Sequence, residues 1–280
     1  MTHPRSRHVT PFALRAAAPV VLTVLALAAC STSADVPPTA PSARQTTATA
    51  TPAAHLSGTL TVFAAASLTE TFTQLGDRFM AAHPGLTVTF NFGGSSALAA
   101  QIVSGAPADV FAAASPATMR TVVDAGDDAN EPEVFARNTL EIAVPPDNPA
   151  HITGLSDFTR PELTIALCAP EVPCGAAAQQ VFTAAGLVPA PDTLEPDVKS
   201  ALSKVELGEV DGALVYKTDV IAAAGRVRGI EFPEASGAVN DYPITVLTKA
   251  TNSAAAAAFV ELVRSPDGQQ ALAAAGFASH

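Results

Sequence analysis

The chain has 280 residues, of which 48% are hydrophobic and 15% are charged, and its formal net charge is −11. The apolar fraction is large enough to bury a substantial core, and the length allows one or two domains. The excess of acid argues against a nucleic-acid partner, since phosphate binding needs clustered Lys and Arg. With no Trp and only two Tyr, the composition also argues against surfaces that stack bases or sugars.

The N-terminus has the pattern of an export signal. Residues 1–15 carry three Arg and no acidic residue, and an apolar run over 16–29 ends in Leu-Ala-Ala directly before Cys30. Basic, apolar and small residues in this order are typical of a secretory signal, and the run is short for a membrane span. Because Leu-Ala-Ala-Cys resembles the lipobox of bacterial lipoproteins, we expect removal of the signal peptide 1–29 and acylation of Cys30. An ordinary signal peptide with an accidental Cys is the alternative.

Residues 30–57 consist mainly of Ser, Thr, Ala and Pro, with almost no charge. Such a stretch cannot bury enough apolar surface to offset its chain entropy. We therefore expect a disordered tether that connects a membrane anchor to a folded body beginning at Gly58.

Strands and helices alternate through this body. The predicted strands cover 60–64, 86–92, 109–112, 140–144, 163–167, 213–216, 230–232 and 244–247. The predicted helices begin near residues 68, 95, 176, 197, 253 and 266. In the first of them, Leu68, Phe72, Leu75 and Phe79 recur at helical spacing and mark a buried face. This alternation implies βαβ units with parallel strand pairing, and its length of roughly 220 residues suggests two α/β lobes with a cleft between them.

Small polar residues or tight turns stand at four of the predicted helix starts. These starts are at Ser67, at Ser95, at Cys174-Gly175 and at Asp197-Val198, and Ser67 with Glu70 has the spacing of a capping box. In a doubly wound sheet such turns lie at the carboxyl ends of the strands, where ligands bind. Free N–H groups and the positive dipole end of a helix suit an anion there, although plain helix capping explains any single one of them.

Catalytic and metal-binding signatures are missing from the sequence. It contains no G-x-S-x-G, P-loop, G-x-G-x-x-G or H-E-x-x-H motif, and its His residues are scattered. The acidic loop at Asp127-Asp128 lacks the ligand spacing of a calcium loop. We therefore expect no enzymatic activity. The alternative is an α/β hydrolase or transferase with Ser67 or Ser95 as the nucleophile, for which the sequence places no base.

Three segments carry a family resemblance. Val62–Thr69, Phe92–Ile102 and Gly105–Phe111 resemble the periplasmic molybdate-binding proteins of ABC importers. The resemblance extends over about residues 59–277. Shorter segments continue it in the order of that family: Arg137–Leu140, Val172–Gly175, Asp197–Leu202, Leu214–Tyr216 and Tyr242–Ile244.

The resemblance implies a two-lobed type II periplasmic binding protein fold, with a hinge and a ligand cleft between the lobes. Lobe 1 is expected to comprise 58–137 and 242–280, and lobe 2 to comprise 138–241. The implied ligand is molybdate or tungstate, which a monomeric lipoprotein without a cofactor would deliver to the permease subunit of an ABC importer. A binding protein for sulfate or another small anion is the nearest alternative.

The family holds its oxyanion with neutral donors, which map onto five positions here. They are the hydroxyl and N–H groups of Ser67 and Ser95, the backbone N–H groups of Cys174 and Val198, and the phenol of Tyr216. No residue is expected to act as a direct ligand of a metal cation.

Three departures from the family pattern concern this site. Cys174 stands where Ala is common, which is harmless if only its N–H is used, and Lys199 stands where Arg is usual. Gly93-Gly94 replaces more polar residues, so that either Ser95 or Ser96 could supply the hydroxyl.

With Cys30 acylated, Cys168 and Cys174 remain as a pair. In an exported protein such a pair predicts a disulfide, here closing a short loop that presents the Cys174 N–H. Two free buried thiols are the alternative, and a zinc site would need two further ligands that the sequence does not offer.

Overall fold

The structure is a computed structural model that describes residues 55–279. The expected signal peptide, Cys30 and most of the expected tether lie outside the described residues. Within the described part of the chain, no helix is long and apolar enough to cross a membrane.

Two five-stranded sheets organise the body, and each forms one lobe with the helices packed on it. The sheet of lobe 1 has the strand order β2-β1-β3-β10-β4. Its strands are β1 (Ser57–Ala65), β2 (Gly85–Gly93), β3 (Val110–Ala112), β4 (Glu133–Asn138) and β10 (Asn240–Val246). Its helices are α1 (Thr69–Ala82), α2 (Ser95–Val103), α3 (Pro116–Asp124), α7 (Ser253–Arg264) and α8 (Pro266–Ala274).

Lobe 2 repeats the plan with fewer helices. Its sheet has the strand order β7-β6-β8-β5-β9. The strands are β5 (Leu140–Val144), β6 (Ile165–Cys168), β7 (Thr193–Glu195), β8 (Gly212–Tyr216) and β9 (Arg228–Ile230). The helices are α4 (Pro173–Ala185), α5 (Val198–Glu206) and α6 (Lys217–Ala222).

The chain passes between the two sheets twice. The first passage is Thr139, the single residue between β4 and β5, and the second is the segment 231–239 between β9 and β10. These two passages are the only connections along the chain between the described parts of the two lobes.

Strand direction differs in part from the sequence prediction. Parallel pairing is confirmed for β1 with β2 and β3, and for β6 with β7 and β8. It is wrong for β10, which runs antiparallel to β3 and β4, and for β5, which runs antiparallel to β8 and β9. Both are strands next to a passage between the lobes, so they enter their sheets without the helical crossover that parallel pairing requires. The prediction also lacked β4, β7, α3 and α6.

The predicted helix face of α1 lies in the core of lobe 1. Leu68, Phe72 and Leu75 are fully buried and Phe79 nearly so. The Phe72 ring packs at 5.7 Å, edge-on, against the ring of Phe259 in α7. Burial of side chains of this size stabilises a fold by about 1.5–3 kcal/mol each. The helical spacing of these apolar residues therefore predicts the buried face of the helix.

Candidate functional site

The five predicted ligand positions surround one cavity between the lobes. The cavity measures about 20 Å³, far below the roughly 300–1,000 Å³ of pockets for organic ligands. Its walls are the turns that follow the six parallel strands of the two sheets, as a doubly wound arrangement requires. The size therefore fits a single small ion.

Ser67 reaches this cavity without capping a helix. The predicted capping box with Glu70 is wrong, because residues Ala66–Leu68 form a separate 3-10 turn and α1 begins only at Thr69, without a side-chain cap. The Ser67 hydroxyl instead lies 2.9 Å from the phenol oxygen of Tyr242 in β10. Its position is thus set by a residue 175 positions away in the chain.

Ser95 opens α2, and the geometry distinguishes it from Ser96. The Ser95 Oγ accepts a hydrogen bond of 3.0 Å from the Ala114 N–H, which leaves its own hydrogen free to point into the cavity. The Ser96 Oγ donates at 2.6 Å to the Glu171 carbonyl of lobe 2. Of the two, Ser95 lines the cavity.

Lobe 2 presents two helix N-termini to the same space. Cys174 is the second residue of α4 and Val198 is the first residue of α5. N–H groups at these positions have no partner within their helix and lie at its positive end, so both are available to an anion. Asp197 caps α5 as predicted, because its carboxylate accepts from the N–H and the hydroxyl of Ser200 at 2.9 and 3.1 Å.

The start of α4 is fixed by a disulfide and a glycine. The structure joins Cys168 and Cys174 by a bond of 2.06 Å. A Cβ on Gly175 would lie 1.9 Å from the Ala169 carbonyl oxygen, so only glycine lets the helix start approach that loop.

Tyr216 ends β8 with a buried phenol. Among the described residues its hydroxyl has no hydrogen-bond partner, which for a buried group costs about 1–3 kcal/mol. Burial, and the neighbouring Tyr242 and Asp219, raise the pKa of Tyr216 well above its usual value. The phenol is therefore a protonated donor that lacks an acceptor.

No Lys, Arg or His of the described chain lines the cavity. Lys199 follows Val198, but its ammonium lies 2.9 Å from Glu70 of lobe 1 and 3.2 Å from Asp219 of lobe 2. Burial lowers the pKa of Lys199, yet the carboxylates of Asp219 and Glu70 outweigh it and leave that pKa raised. For Asp219, burial outweighs the pairing with Lys199 and raises the pKa to about 6.

Besides the Ser96 contact with the Glu171 carbonyl, two further close approaches across the cleft were not predicted from the sequence. The backbone of Gly94 in lobe 1 lies so near lobe 2 that a Cβ there would come within 2.3 Å of the Pro196 carbonyl oxygen. The ion pair between Lys199 and Glu70 links the lobes near the same place. The Gly-Gly turn in the sequence could have indicated the close approach of Gly94 to Pro196. No sequence pattern predicts that Lys199 pairs with Glu70.

Metal-binding side chains do not cluster in the described chain. No group of three or more His, Cys, Asp or Glu residues there could hold a metal ion. In the acidic loop, Asp127 pairs with Lys249 at 2.7 Å.

Comparisons with known proteins identify relatives of this chain. The family model of the bacterial extracellular solute-binding proteins matches residues 60–278. The molybdate-binding protein ModA of Mycobacterium tuberculosis is 44% identical over 219 residues, covering 78% of this chain and 84% of that protein. A putative ABC transporter substrate-binding lipoprotein, YvgL of Bacillus subtilis, is 31% identical over 227 residues, covering 78% and 86%.

A solved structure supports the same relationship. The periplasmic molybdate-binding protein of Azotobacter vinelandii superimposes with a TM-score of 0.67 at 25% identity, covering 79% of this chain and 99% of that one. The chain belongs to the bacterial extracellular solute-binding proteins and, within them, to the family of ModA.

Proposed function

We propose that this protein binds molybdate, and tungstate as well, in the cleft between its lobes and delivers it to the permease of an ABC importer. The observation that carries the proposal is the convergence of neutral donors on an ion-sized cavity without a cationic side chain among its lining residues. The donors are the five groups assigned from the sequence: Ser67, Ser95, Cys174, Val198 and Tyr216. The names of the relatives in M. tuberculosis and A. vinelandii support molybdate over sulfate as the ligand.

A site of donors alone favours an anion that carries no proton. Molybdate, tungstate and sulfate are fully deprotonated at neutral pH, whereas phosphate keeps at least one proton and needs an acceptor. Asp197 is the one carboxylate among the lining residues, and its oxygens are engaged by Ser200. A bound phosphate whose O–H does not reach Asp197 would leave that O–H unpaired, at about 1–3 kcal/mol.

Size is the remaining filter, because sulfate has the charge of molybdate but shorter bonds. Discrimination then depends on a donor cage of fixed width, which both lobes must complete together. Since the chain is itself strongly negative, with a net charge of −11, the affinity must come from local hydrogen bonds and helix dipoles rather than from long-range attraction.

Closure of the lobes follows from the division of the donors between them. A ligand that contacts both lobes favours the arrangement in which they meet, and the two passages at 139 and 231–239 are the natural hinge. The bodies proposed to move are 57–138 with 240–279 for lobe 1 and 140–230 for lobe 2. The bounds expected from the sequence put residues 138 and 240–241 in lobe 2, whereas they lie in the strands β4 and β10 of lobe 1.

Isothermal titration calorimetry with a panel of oxyanions tests the proposed function. Molybdate and tungstate should bind well above sulfate, and phosphate should give no signal. Thermal denaturation provides a second readout, because a ligand at 100 times its dissociation constant adds about 2.7 kcal/mol of stability. Tight phosphate binding would contradict the proposal, and turnover of simple esters by the pure protein would favour the hydrolase alternative.

We also propose that Cys30 anchors a monomer to the outer face of the cell membrane through its lipid, with the segment between Cys30 and β1 as the tether. The Leu-Ala-Ala-Cys pattern and the relative named as a lipoprotein support this. The expected tether 30–57 is one residue too long, because Ser57 already pairs with Gly85 in the sheet. Cys30→Ser should abolish membrane retention in detergent partitioning while the body still binds molybdate. Equal retention of the variant and the wild type would contradict acylation.

A further inference from the structure

A buried chain of polar side chains lies directly behind Ser67. Ser67, Tyr242 and Asn138 are each almost completely buried. The Tyr242 phenol lies 2.9 Å from the Ser67 Oγ, and the Asn138 amide nitrogen donates to the same phenol oxygen at 3.4 Å. Asn138 ends β4 and Tyr242 lies in β10, so both belong to the strands next to the passages between the lobes.

The amide of Asn138 has a definite orientation, which favours one direction of hydrogen bonding along this chain. Its Oδ1 accepts from the Thr139 N–H at 3.0 Å, so its nitrogen must face Tyr242 and Thr218, where it donates to the Thr218 hydroxyl at 2.8 Å. Either hydroxyl of the Ser67–Tyr242 pair could donate, and the amide on the Tyr242 oxygen favours the direction in which the phenol donates to the Ser67 Oγ. Burial also raises the pKa of Tyr242, which keeps that hydrogen in place.

We infer that Tyr242, held by Asn138, is a positioning residue that makes Ser67 an obligatory donor and thereby sets the preference for oxyanions without a proton. An oxygen that already accepts from Tyr242 can direct its own hydrogen only toward the ligand. This inference rests on the proposed function, since it concerns how the same cavity selects its anion.

Ser95 shows the same principle with a fixed partner. Its Oγ accepts from the Ala114 backbone N–H, which no substitution of a side chain can reverse. Whether Ser67 donates to the ligand or accepts from it depends, in contrast, on the Tyr242 phenol, which could itself donate or accept. Tyr242 is therefore the residue whose replacement can change the selectivity of the cavity without touching the ligand.

The test is Tyr242→Phe, which keeps the ring packed edge-on against Phe135 and Phe277 and removes only the hydroxyl. The molybdate dissociation constant should rise about tenfold, equivalent to about 1.4 kcal/mol. Phosphate binding should become measurable, because the freed Ser67 can accept from its O–H. In a double-mutant cycle, Ser67→Ala should weaken molybdate binding less in the Tyr242→Phe background than in the wild type.

Thr245→Val is the matched control. Thr245 lies on the same strand, is fully buried and donates to the Asn130 carbonyl at 2.9 Å, away from the cavity. Its replacement also removes a buried hydroxyl from β10, so any effect on binding that comes only from lower stability should appear in this variant too. The molybdate affinity and the exclusion of phosphate should both remain as in the wild type.

Asn138→Asp is a second variant that keeps the side-chain shape and reverses the direction of the chain. At alkaline pH its carboxylate would accept the Tyr242 hydrogen, so that Ser67 would donate to the Tyr242 oxygen instead of the ligand. Molybdate binding should then weaken at least as much as in Tyr242→Phe. Unchanged affinity and selectivity in the folded variants, with an additive cycle, would overturn the inference while leaving the function intact. Failure of the wild type to bind molybdate or tungstate would instead overturn the proposed function.

Discussion

The two lobes face the same cavity with different chemistry. Lobe 1 offers the side-chain hydroxyls of Ser67 and Ser95, each backed by a neighbouring group at hydrogen-bond distance. Lobe 2 offers backbone N–H groups at the starts of α4 and α5, together with a phenol that has no internal partner in the described structure. The donors of lobe 1 thus depend on side-chain identity, whereas two of the three in lobe 2 depend on where a helix begins.

This difference explains one departure from the family pattern. At position 174 the side chain contributes nothing to the proposed site, so a Cys can stand where Ala is common and serve in a disulfide instead. The lesson is that lobe 1 should be sensitive to the loss of single hydroxyl groups, and lobe 2 to changes that move its helices.

The largest effect is expected where the lobes approach most closely. Gly94→Ala should weaken molybdate binding by about 3 kcal/mol or more, because the new Cβ would lie 2.3 Å from the Pro196 oxygen and hold the lobe 2 donors away from the ligand. The backbone of Gly94, at φ −60° and ψ 125°, accommodates Ala without strain. Calorimetry measures the loss.

Gly93→Ala is the control for this variant. A Cβ at Gly93 would have no neighbour closer than 3.7 Å, so molybdate affinity should stay within about 0.5 kcal/mol of the wild type. Equal affinities of the two variants would show that binding does not need this contact between the lobes.

The free energy of unfolding should depend on pH because of Asp219, which is fully buried in lobe 2. Burial raises the pKa of Asp219 from 3.8 to about 6, so its protonated form stabilises the native state below about pH 4 and this stabilisation is lost as the pH rises through about 6. The loss should approach about 3 kcal/mol, at about 1.4 kcal/mol per pKa unit. In urea unfolding across this range, Asp219→Asn should remove the decline. Parallel pH profiles of the two proteins would contradict the assignment.

The next largest effect on molybdate binding is expected from the removal of single hydroxyl groups in lobe 1. Ser67→Ala and Ser95→Ala should each weaken molybdate binding by about 1.5–3 kcal/mol, the scale of a hydrogen bond to a charged group. Ser96→Ala removes only the contact with the Glu171 carbonyl, and about 1 kcal/mol at most is expected. Calorimetry of the three variants decides which Ser serves the ligand, and a larger loss for Ser96 than for Ser95 would reverse the assignment.

The smallest effect on binding is expected from the disulfide of lobe 2. Replacing Cys168 and Cys174 together by Ala should lower the unfolding free energy by about 2 kcal/mol, as expected for so short a loop. The N–H at position 174 survives, so molybdate affinity should change by less than about 0.5 kcal/mol. Urea unfolding and calorimetry measure the two quantities. Two free thiols in the exported wild type, found by mass spectrometry, would refute the disulfide itself.

Much of the local structure was predictable because it is encoded within a few residues. The strand 140–144 has the predicted bounds, and α7 begins at the predicted residue 253. Asp197 caps α5 through a neighbour three residues away. The buried face of α1 followed from its helical spacing. Short elements such as β7 and α6 escaped, since three to six residues carry too little periodicity.

The sequence by itself determined the class of the fold, the order of most of its elements, the family and the five candidate donors. Only the tertiary structure decided the antiparallel direction of β5 and β10, the pairing of Lys199 with Glu70, and the partner of Ser67. Strand direction and side-chain partners depend on contacts between distant segments: Tyr242 lies 175 residues from Ser67, and Lys199 lies 129 residues from Glu70. Local patterns predict helices, strands and caps because those form among neighbours, whereas the side chains behind a ligand are chosen by the way the whole chain packs.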